Sequence, residues 1–467
     1  MLSKITTLAE SEPKRPCTAR WIGRRVKPFL VLGFLLGWGA ATFSSHAEEA
    51  AFLTKISAAT DAQMPGIIEL RHWFHEHPEL GNREFNTAQR VKDELTALGF
   101  DEVREGVAHT GVVGILRGGL PGKRVALRAD MDGLPVTEKT GLPFASKVTT
   151  TWNDQPAGVM HACGHDAHMA ILIGVARVLA SMRAEIPGEV MFIFQPAEEG
   201  APPGEEGGAE LMLKEGLFAA GAKPGAVFGL HVFPGETGSI MYRPNGFMAA
   251  ADYLEIDVQG VQTHGSMPWA GIDPITASAQ VITSLQTVVS RQLDITTAPA
   301  VVTIGTIDGG NRNNIIPEKV SMTGTIRTLD PGMRNKVHEL IRNTATHAAA
   351  TMNAKADVMI DLGYPVTFND PQLTREMAPV LDWASEGRAN VVNPILGAED
   401  FSYFAYETPG LFFGLGVLPD KGDDRTIGAN HSPYFFVNDR ALPSGVRALS
   451  ALAMTWLRSA EGSSAQK

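Results

Sequence analysis

Cysteine is nearly absent: the chain has two in 467 residues, Cys17 and Cys163. That excludes a disulfide-stapled scaffold. Long apolar runs are missing too. The nearest, Phe29 to Phe43, is about half to three-quarters of what a membrane span needs. Positive charge is in the minority, with 40 Lys and Arg against 51 Asp and Glu. A surface of that sign argues against nucleic acid and anionic membranes as partners. No internal repeat or low-complexity stretch occurs apart from the small-polar tail Glu461 to Lys467. What remains is a Gly-rich, moderately acidic chain of ordinary globular composition, long enough for more than one domain.

The short apolar run has its own explanation. Lys14, Arg15, Arg20, Arg24, Arg25 and Lys27 precede it, and Ser45-His46-Ala47 follows. A basic region, an apolar core and a small-x-Ala site together predict a signal peptide over residues 1–47, cut after Ala47. Export to the periplasm is the expectation, with no stable membrane insertion of the mature chain. An uncleaved anchor is the alternative. Arg24-Arg25 raises the twin-arginine route, but the residues after the pair fit it poorly. Cleavage would remove seven basic and two acidic residues, leaving 33 against 49 and a formal charge of −16. Cys163 would then be the one cysteine left. A free thiol is unusual in an oxidising compartment, whereas a metal-bound thiolate is held in place.

Cys163 sits in His161-Ala162-Cys163-Gly164-His165-Asp166, between a polar loop (Thr151 to Gly158) and an apolar helical pattern from Met169 to Met182. Asp166 or a neighbour is expected to cap that helix. Cys163 and His165, two apart around a glycine, can face one ion. Alone, the pair reads equally as a buried thiol and surface histidines.

The flanking pattern makes the pair more specific. Runs at 111–116, 124–129, 189–194 and 226–230 read as buried strands, with helices at 86–98 and 209–215. This is an open α/β sheet, whose sites lie beyond the carboxyl ends of its strands. Glu198-Glu199 and His231 directly follow two of those strands, and His431 lies in a late loop after the strand 411–417. Thiolate, imidazole and carboxylate together suit zinc, or manganese where carboxylates dominate. Individually, His431 could cap a turn and His231 could be a satisfied strand-end histidine. His72, His75 and His77, near the end of a helix predicted over 67–75, read as solvated or supporting groups.

Between these segments the pattern changes to β-α-β-β-α-β over 252–362, a ferredoxin-like unit. The expected organisation is a catalytic domain in two parts, 48–241 and 366–467, interrupted by an inserted domain over 242–365.

As a set, several motifs resemble the amidohydrolase branch of the aminoacylase/carboxypeptidase metallopeptidase superfamily. They are Arg71-His72-x4-His-Pro-Glu-Leu, Arg128-Ala-Asp-Met-Asp, His161-Ala-Cys-Gly-His-Asp, Gln195-Pro-Ala-Glu-Glu-Gly, Gly229-Leu-His, Asn314-Ile-Ile-Pro, Gly397-Ala-Glu-Asp-Phe and Asn430-His-Ser. The resemblance implies a two-metal site of zinc or manganese held by Cys163, His165, Glu199, His231 and His431, with Cys163 bridging. It implies Glu198 as general base, and an inserted lid that forms a homodimer. In that lid His264 would stabilise the oxyanion across the dimer, and Asn314 and Arg327 would hold the substrate carboxylate. One departure is Met267-Pro268-Trp269, where many relatives read Met-Pro-His.

The expected activity is hydrolysis of N-acyl or N-aroyl amino acids. Within the class, a metallo-dipeptidase or carboxypeptidase and a p-aminobenzoyl-glutamate hydrolase are alternatives. A periplasmic solute-binding protein is the rival from another class; it needs no base, so the Glu198-Glu199 pair speaks against it.

Overall fold

Four parallel strands form the middle of the main sheet, and their carboxyl ends all open on one side. The computed structural model describes residues 36–219, 221–418 and 427–464, with side chains from residue 50 to 459. Two units are distinguished, Met1–Phe52 and Leu53–Lys467. In the first, helix α1 begins at Leu36 and runs on to Glu76. Most of the expected signal peptide lies outside the described residues. Among the described residues, no helix is long and apolar enough to cross a membrane.

The larger unit carries a mixed eight-stranded sheet. Its order is Glu102–Val107, Gly111–Arg117, Pro187–Gln195, Leu120–Asp130, Val227–Phe233, Gly410–Gly416, Ile240–Tyr242 and Ala389–Val391. Pro187–Gln195, Leu120–Asp130, Val227–Phe233 and Gly410–Gly416 are mutually parallel. Val125 to Ala129, Val190 to Phe194 and Leu411 to Phe413 are buried, as expected of strands covered on both faces. Phe401, Phe404, Met212 and Phe218 pack with Ala126, Met191, Ile193 and Phe412 in one layer. Helices His165–Ser181 and Leu442–Ser464 pack against Leu120–Asp130 and against each other.

A separate antiparallel sheet is built from Ala300–Asp308, Lys319–Thr328, Ala250–Gln259 and Lys355–Asp361, in that spatial order. With helices Pro274–Thr287 and Pro331–Ala350 this is the ferredoxin-like β-α-β-β-α-β order. Both helices start alike, on a capping Asp followed by Pro: Asp273 accepts from the amides of Ile275 and Thr276, and Asp330 from that of Met333. Such caps are worth about 1 kcal/mol each. Leu254, Ile256, Val258, Met322 and Ile326 face the helices. The alternate residues Tyr253, Glu255, Thr323, Thr325 and Arg327 leave the other face polar.

Several local expectations are corrected. The cap of the helix at His165, expected at Asp166 or a neighbour, falls on the neighbour Gly164, with φ +96° and no side-chain cap bond, and not on Asp166. His231 lies inside Val227–Phe233 and not beyond the strand. The segment read as a polar loop at 151–158 belongs to a hairpin, Thr149–Trp152 with Gln155–Gly158, turned by Asn153 and Asp154 at positive φ. That pair is a hairpin signal of the type-I′ kind.

Asp166 is instead the centre of a buried ion cluster beneath the His165 loop. Its Oδ2 accepts from Arg71 Nε at 3.0 Å and from His75 Nδ1 at 2.9 Å. His75 Nε2 meets Glu138 Oε1 at 3.1 Å. Both ring nitrogens thus face carboxylates and both must donate, so the ring is an imidazolium. Burial opposes the charge, but Asp166 and Glu138 overcome it and raise the His75 pKa to about 9. His75 is therefore a buried supporting group. His72 stacks on Phe144 and bonds Asp439, and His77 donates to the Trp73 carbonyl.

A raised pKa stabilises the folded chain fully below the unfolded value, about 6.5, and that contribution is lost as pH rises through about 9. The unfolding free energy of the wild type, from denaturant titrations, should therefore fall between pH 7 and pH 9.5 more steeply than that of His75→Gln, by roughly 2–3 kcal/mol over the range. Equal slopes for the two proteins would show that His75 does not carry this charge.

Candidate metal centre

The loop Met160–Gly164 turns tightly because Gly164 adopts a left-handed conformation. A Cβ there would stand 2.3 Å from Val232 Cγ2, so no other residue fits. This turn brings Cys163 and His165 over the strand that carries His231. Cys163 Sγ lies 3.2 Å from His231 Nε2 and 3.3 Å from His431 Nε2. Glu199 Oε1 lies 2.9 Å from His431 Nε2. Glu198 Oε2 is 3.8 Å from His165 Nε2. The donor atoms of Cys163, His165 and His231 lie within 4.8 Å of one another, as do those of Cys163, Glu199 and His431, and those of His165, Glu198 and Glu199.

The donor set fits divalent ions on two observations. The first is tautomeric: His165 Nδ1 contacts the Asp132 carbonyl and His231 Nδ1 the Val232 carbonyl, each at 2.8 Å. A carbonyl only accepts, so Nδ1 carries a proton in each ring and Nε2 is the atom turned to the cluster, as in a metal-bound histidine. Burial opposes charge on His165, but Asp130 and Asp132 raise its pKa to about 10, so a metal at its Nε2 would displace a proton. The second is that His165 Nε2 is buried and has no hydrogen-bond partner, which is costly unless something else binds there. Burial, with Glu199 and Glu198 beside it, pushes the Cys163 thiol well up. Burial and the neighbours Glu399, Glu199 and Asp400 push Glu198 well up. A cation at this point would reverse both pressures.

Residues around the donors hold them in place. His168 donates from Nδ1 to Asp130 Oδ1 at 2.6 Å and accepts at Nε2 from the Val232 amide at 2.9 Å, which fixes the His231 strand. The side-chain amide of Asn430 donates to the carbonyls of Cys163 and Val232, both at 3.1 Å. Its neighbour His431 has φ +70° and donates its backbone N–H to Ala162. Positive φ away from glycine is uncommon and clusters at functional sites.

The loop that carries Glu198 and Glu199 is held by groups that local sequence patterns did not single out. Glu84 Oε1 accepts from the amide of Ala197 at 2.9 Å; Asp132 Oδ1 and Oδ2 accept from those of Glu198 and Glu199, each at 3.0 Å. Ala197 itself has φ +50°. From the other side, Tyr364 donates its hydroxyl to the Glu198 carbonyl at 2.7 Å. Asp132 was visible in Asp130-Met131-Asp132 after a strand, but its targets lie 66 and 67 residues away. Glu84 and Tyr364 carry no short-range signal.

The cluster opens into a cavity of about 680 Å³ lined also by Phe233, Met248, Ala251, Ile395, Tyr364 and Arg327. Six of the predicted residues, Cys163, His165, Glu198, Glu199, His231 and His431, thus converge, and Arg327 faces the same cavity. His264 and Asn314 do not line it. They sit together elsewhere on the second sheet's side: His264 pairs with Ile315, and Gly265 donates to the Asn314 carbonyl at 2.8 Å.

A family model described as "Peptidase family M20/M25/M40" matches residues 126–455. The chain is 41% identical over 392 residues to thermostable carboxypeptidase 1 of Saccharolobus solfataricus, covering 83% of this chain and 94% of that protein. It is 35% identical over 379 residues to N-acetyl-L-cysteine deacetylase of Bacillus subtilis, covering 80% and 84%. Among solved structures, a Bacillus subtilis protein described as a dinuclear metal binding peptidase of the M20 family superposes with TM-score 0.70 at 32% identity, covering 85% of this chain and 99% of that one.

If Cys163 is a ligand, Cys163→Ser should lower metal occupancy by one to two orders of magnitude in affinity, since a hydroxyl ionises far less readily than a thiol. In the wild type a thiol reagent should label the chelated protein and spare the metal-loaded one. Equal labelling of both would remove Cys163 from the ligand set.

Proposed function

We propose that this chain, which belongs to peptidase family M20/M25/M40 and is a metal-dependent hydrolase, cleaves the amide bond of N-acyl or N-aroyl amino acids to a carboxylic acid and a free amino acid. The observation that carries this reading is one cavity holding a thiol–imidazole–carboxylate cluster, an additional carboxylate at Glu198 and the guanidinium of Arg327. Cys163, His165, Glu199, His231 and His431 would hold two divalent ions, zinc or manganese. Such ions polarise an amide carbonyl and lower the pKa of an attacking water.

The chain's own groups account for the remaining steps. Glu198 takes the proton from the water and passes it to the leaving nitrogen, so water adds across the C–N bond and the amide becomes acid plus amine. Arg327 has only Thr325 Oγ1 as a side-chain partner among the described residues, at 3.1 Å, and a carboxylate beside the scissile amide suits its planar fork. Phe233, Met248, Ala251 and Ile395 give the cavity apolar walls, a fit for an apolar side chain or acyl group.

His264 is proposed to serve the partner's site in a homodimer. It is exposed, and its Nδ1 accepts from the Ser266 amide at 3.0 Å. The ring proton is then on Nε2, which leaves a donor facing outward for an oxyanion. Asn314, beside it, would join Arg327 in holding substrate across the same dimer. The basic, apolar and small-residue order of residues 1–47 supports export. A carboxypeptidase activity is the second reading, favoured by the likeness to the Saccharolobus enzyme and by Arg327 as a carboxylate anchor.

The chelated protein should gain turnover of hippurate and N-acetyl amino acids on addition of manganese or zinc, read by amine release. A peptide substrate preferred over both by tenfold or more in kcat/KM would favour the second reading. Glu198→Gln should keep its metal and lose about two to four orders of magnitude in kcat, whereas Glu199→Gln should lose metal. Equal metal loss in the two would refute this division of roles.

A mixed dimer separates sharing from self-sufficiency. Glu198→Ala and His264→Ala homodimers should both be nearly inactive. Random co-assembly should recover about a quarter of wild-type sites, because half the dimers are mixed and each holds one complete site of two. Mixed dimers purified on two tags without recovered activity would show that His264 does not act across the dimer.

A further inference from the structure

Two strands of chain connect the large sheet to the antiparallel one, and they run side by side. The Ala251 amide donates to the Tyr364 carbonyl at 3.0 Å, and the space beside Gly363 is closed by the Ala251 carbonyl, 2.1 Å from where a Cβ would stand. Arg334 reinforces the crossing, donating to the Gly363 carbonyl at 2.9 Å and to Asp252 Oδ2 at 3.0 Å. The Tyr364 backbone is therefore held by the second sheet. Its side chain, however, reaches the first sheet's active loop: the phenol donates to the Glu198 carbonyl at 2.7 Å, and its ring packs edge-on against Tyr403 with centroids 6.2 Å apart.

We propose that Tyr364 is a positioning residue for Glu198, setting the carboxylate from the chain crossing between the two sheets. The proposal rests on Glu198 being the base. Asp132 holds the Glu198 amide and Tyr364 holds its carbonyl, so both polar groups of this residue's backbone are tied, each by a different part of the fold. Freed of one tie, the residue can rotate about its own peptide planes, and Ala197 before it already sits at φ +50°. Small displacements of a catalytic group cost rate more than they cost binding. Tyr364 lines the cavity as well, but a wall residue would act on substrate affinity, whereas a tie on the base acts on turnover.

The test is a double-mutant cycle on the metal-loaded enzyme with Tyr364→Phe and Glu198→Gln, reading kcat, KM, bound metal and melting temperature. Tyr364→Phe, which removes only the hydroxyl, is expected to lower kcat about 3- to 10-fold, the worth of one neutral hydrogen bond. KM should stay within about twofold and metal content unchanged. In the Glu198→Gln background the same substitution should change kcat by less than about twofold, since there is no base left to position. Tyr403→Leu, which removes the adjoining ring but no bond to the loop, should leave kcat at the wild-type level.

A further 3- to 10-fold loss in the Glu198→Gln background would overturn the proposal, as would an effect confined to KM. So would an equal loss on Tyr403→Leu, which would mark the effect as one of packing. The cycle keeps its meaning if Tyr364→Phe is less stable, because lost packing lowers kcat in both backgrounds alike. Wild-type kcat in Glu198→Gln would overturn the base assignment itself, a result distinct from failure of the tyrosine to couple.

Discussion

Buried negative charge at the carboxyl ends of the parallel strands is the constraint on which the rest of this structure depends. Asp130, Glu198, Glu399 and Asp400 are all buried there, with the Cys163 thiol and the partly buried Glu199 beside them. Arg128, itself fully buried, answers part of it. Its guanidinium reaches Asp130 at 2.8 Å and Glu399 and Asp400 at 2.9 Å. What is left over shows in the raised pKa values: burial, with Asp130 and Asp400 nearby, lifts Glu399 to about 8 despite Arg128. Uncompensated carboxylates in a low-dielectric site must take up protons or cations. His165 and His231 turn Nε2 inward with Nδ1 bonded to a carbonyl, the orientation in which each ring can serve a cation. Metal binding and stability of the loops are thereby linked.

The same charges are used a second time to shape the backbone. Asp132 spreads its carboxylate over two successive amides of the Glu198–Glu199 loop, with Oδ1 also 3.2 Å from His165 Nδ1, while its carbonyl accepts from that same nitrogen. One residue thus positions a proposed base and two proposed ligands. Glu84 takes the preceding amide, that of Ala197. Its pKa is lifted to about 8 by burial and by Asp132, against the bonds it accepts. The strained conformations at Ala197 and His431 persist because such ties over-determine them.

The antiparallel sheet is stabilised by its own core, and its polar face is free to meet ligand or another chain. Arg327 reaches the cavity from that face; His264 and Trp269 stand away from it, and Trp269 is 79% exposed.

Much was legible in the sequence for a definite reason. Period-2 and period-3.6 patterns report burial directly, so the buried strands of the main sheet and the order β-α-β-β-α-β could be read locally. Chemistry-bearing residues at strand ends could be read as well, and the structure brings Cys163, His165, Glu198, Glu199, His231 and His431 to one point. The short strands Ile240–Tyr242 and Ala389–Val391 at one end of the main sheet and the hairpin at 149–158 were not seen, because three or four residues make no periodic pattern. What only the tertiary structure decided is who restrains whom. That Asp166 pairs with Arg71 and His75 instead of capping its helix, that Asp132 and Glu84 hold amides far along the chain, and that Tyr364 reaches Glu198 from another sheet all depend on contacts across 66 to 166 residues. Side-chain types and their spacing state what a residue can bond to; only the folded chain brings that partner within 3 Å.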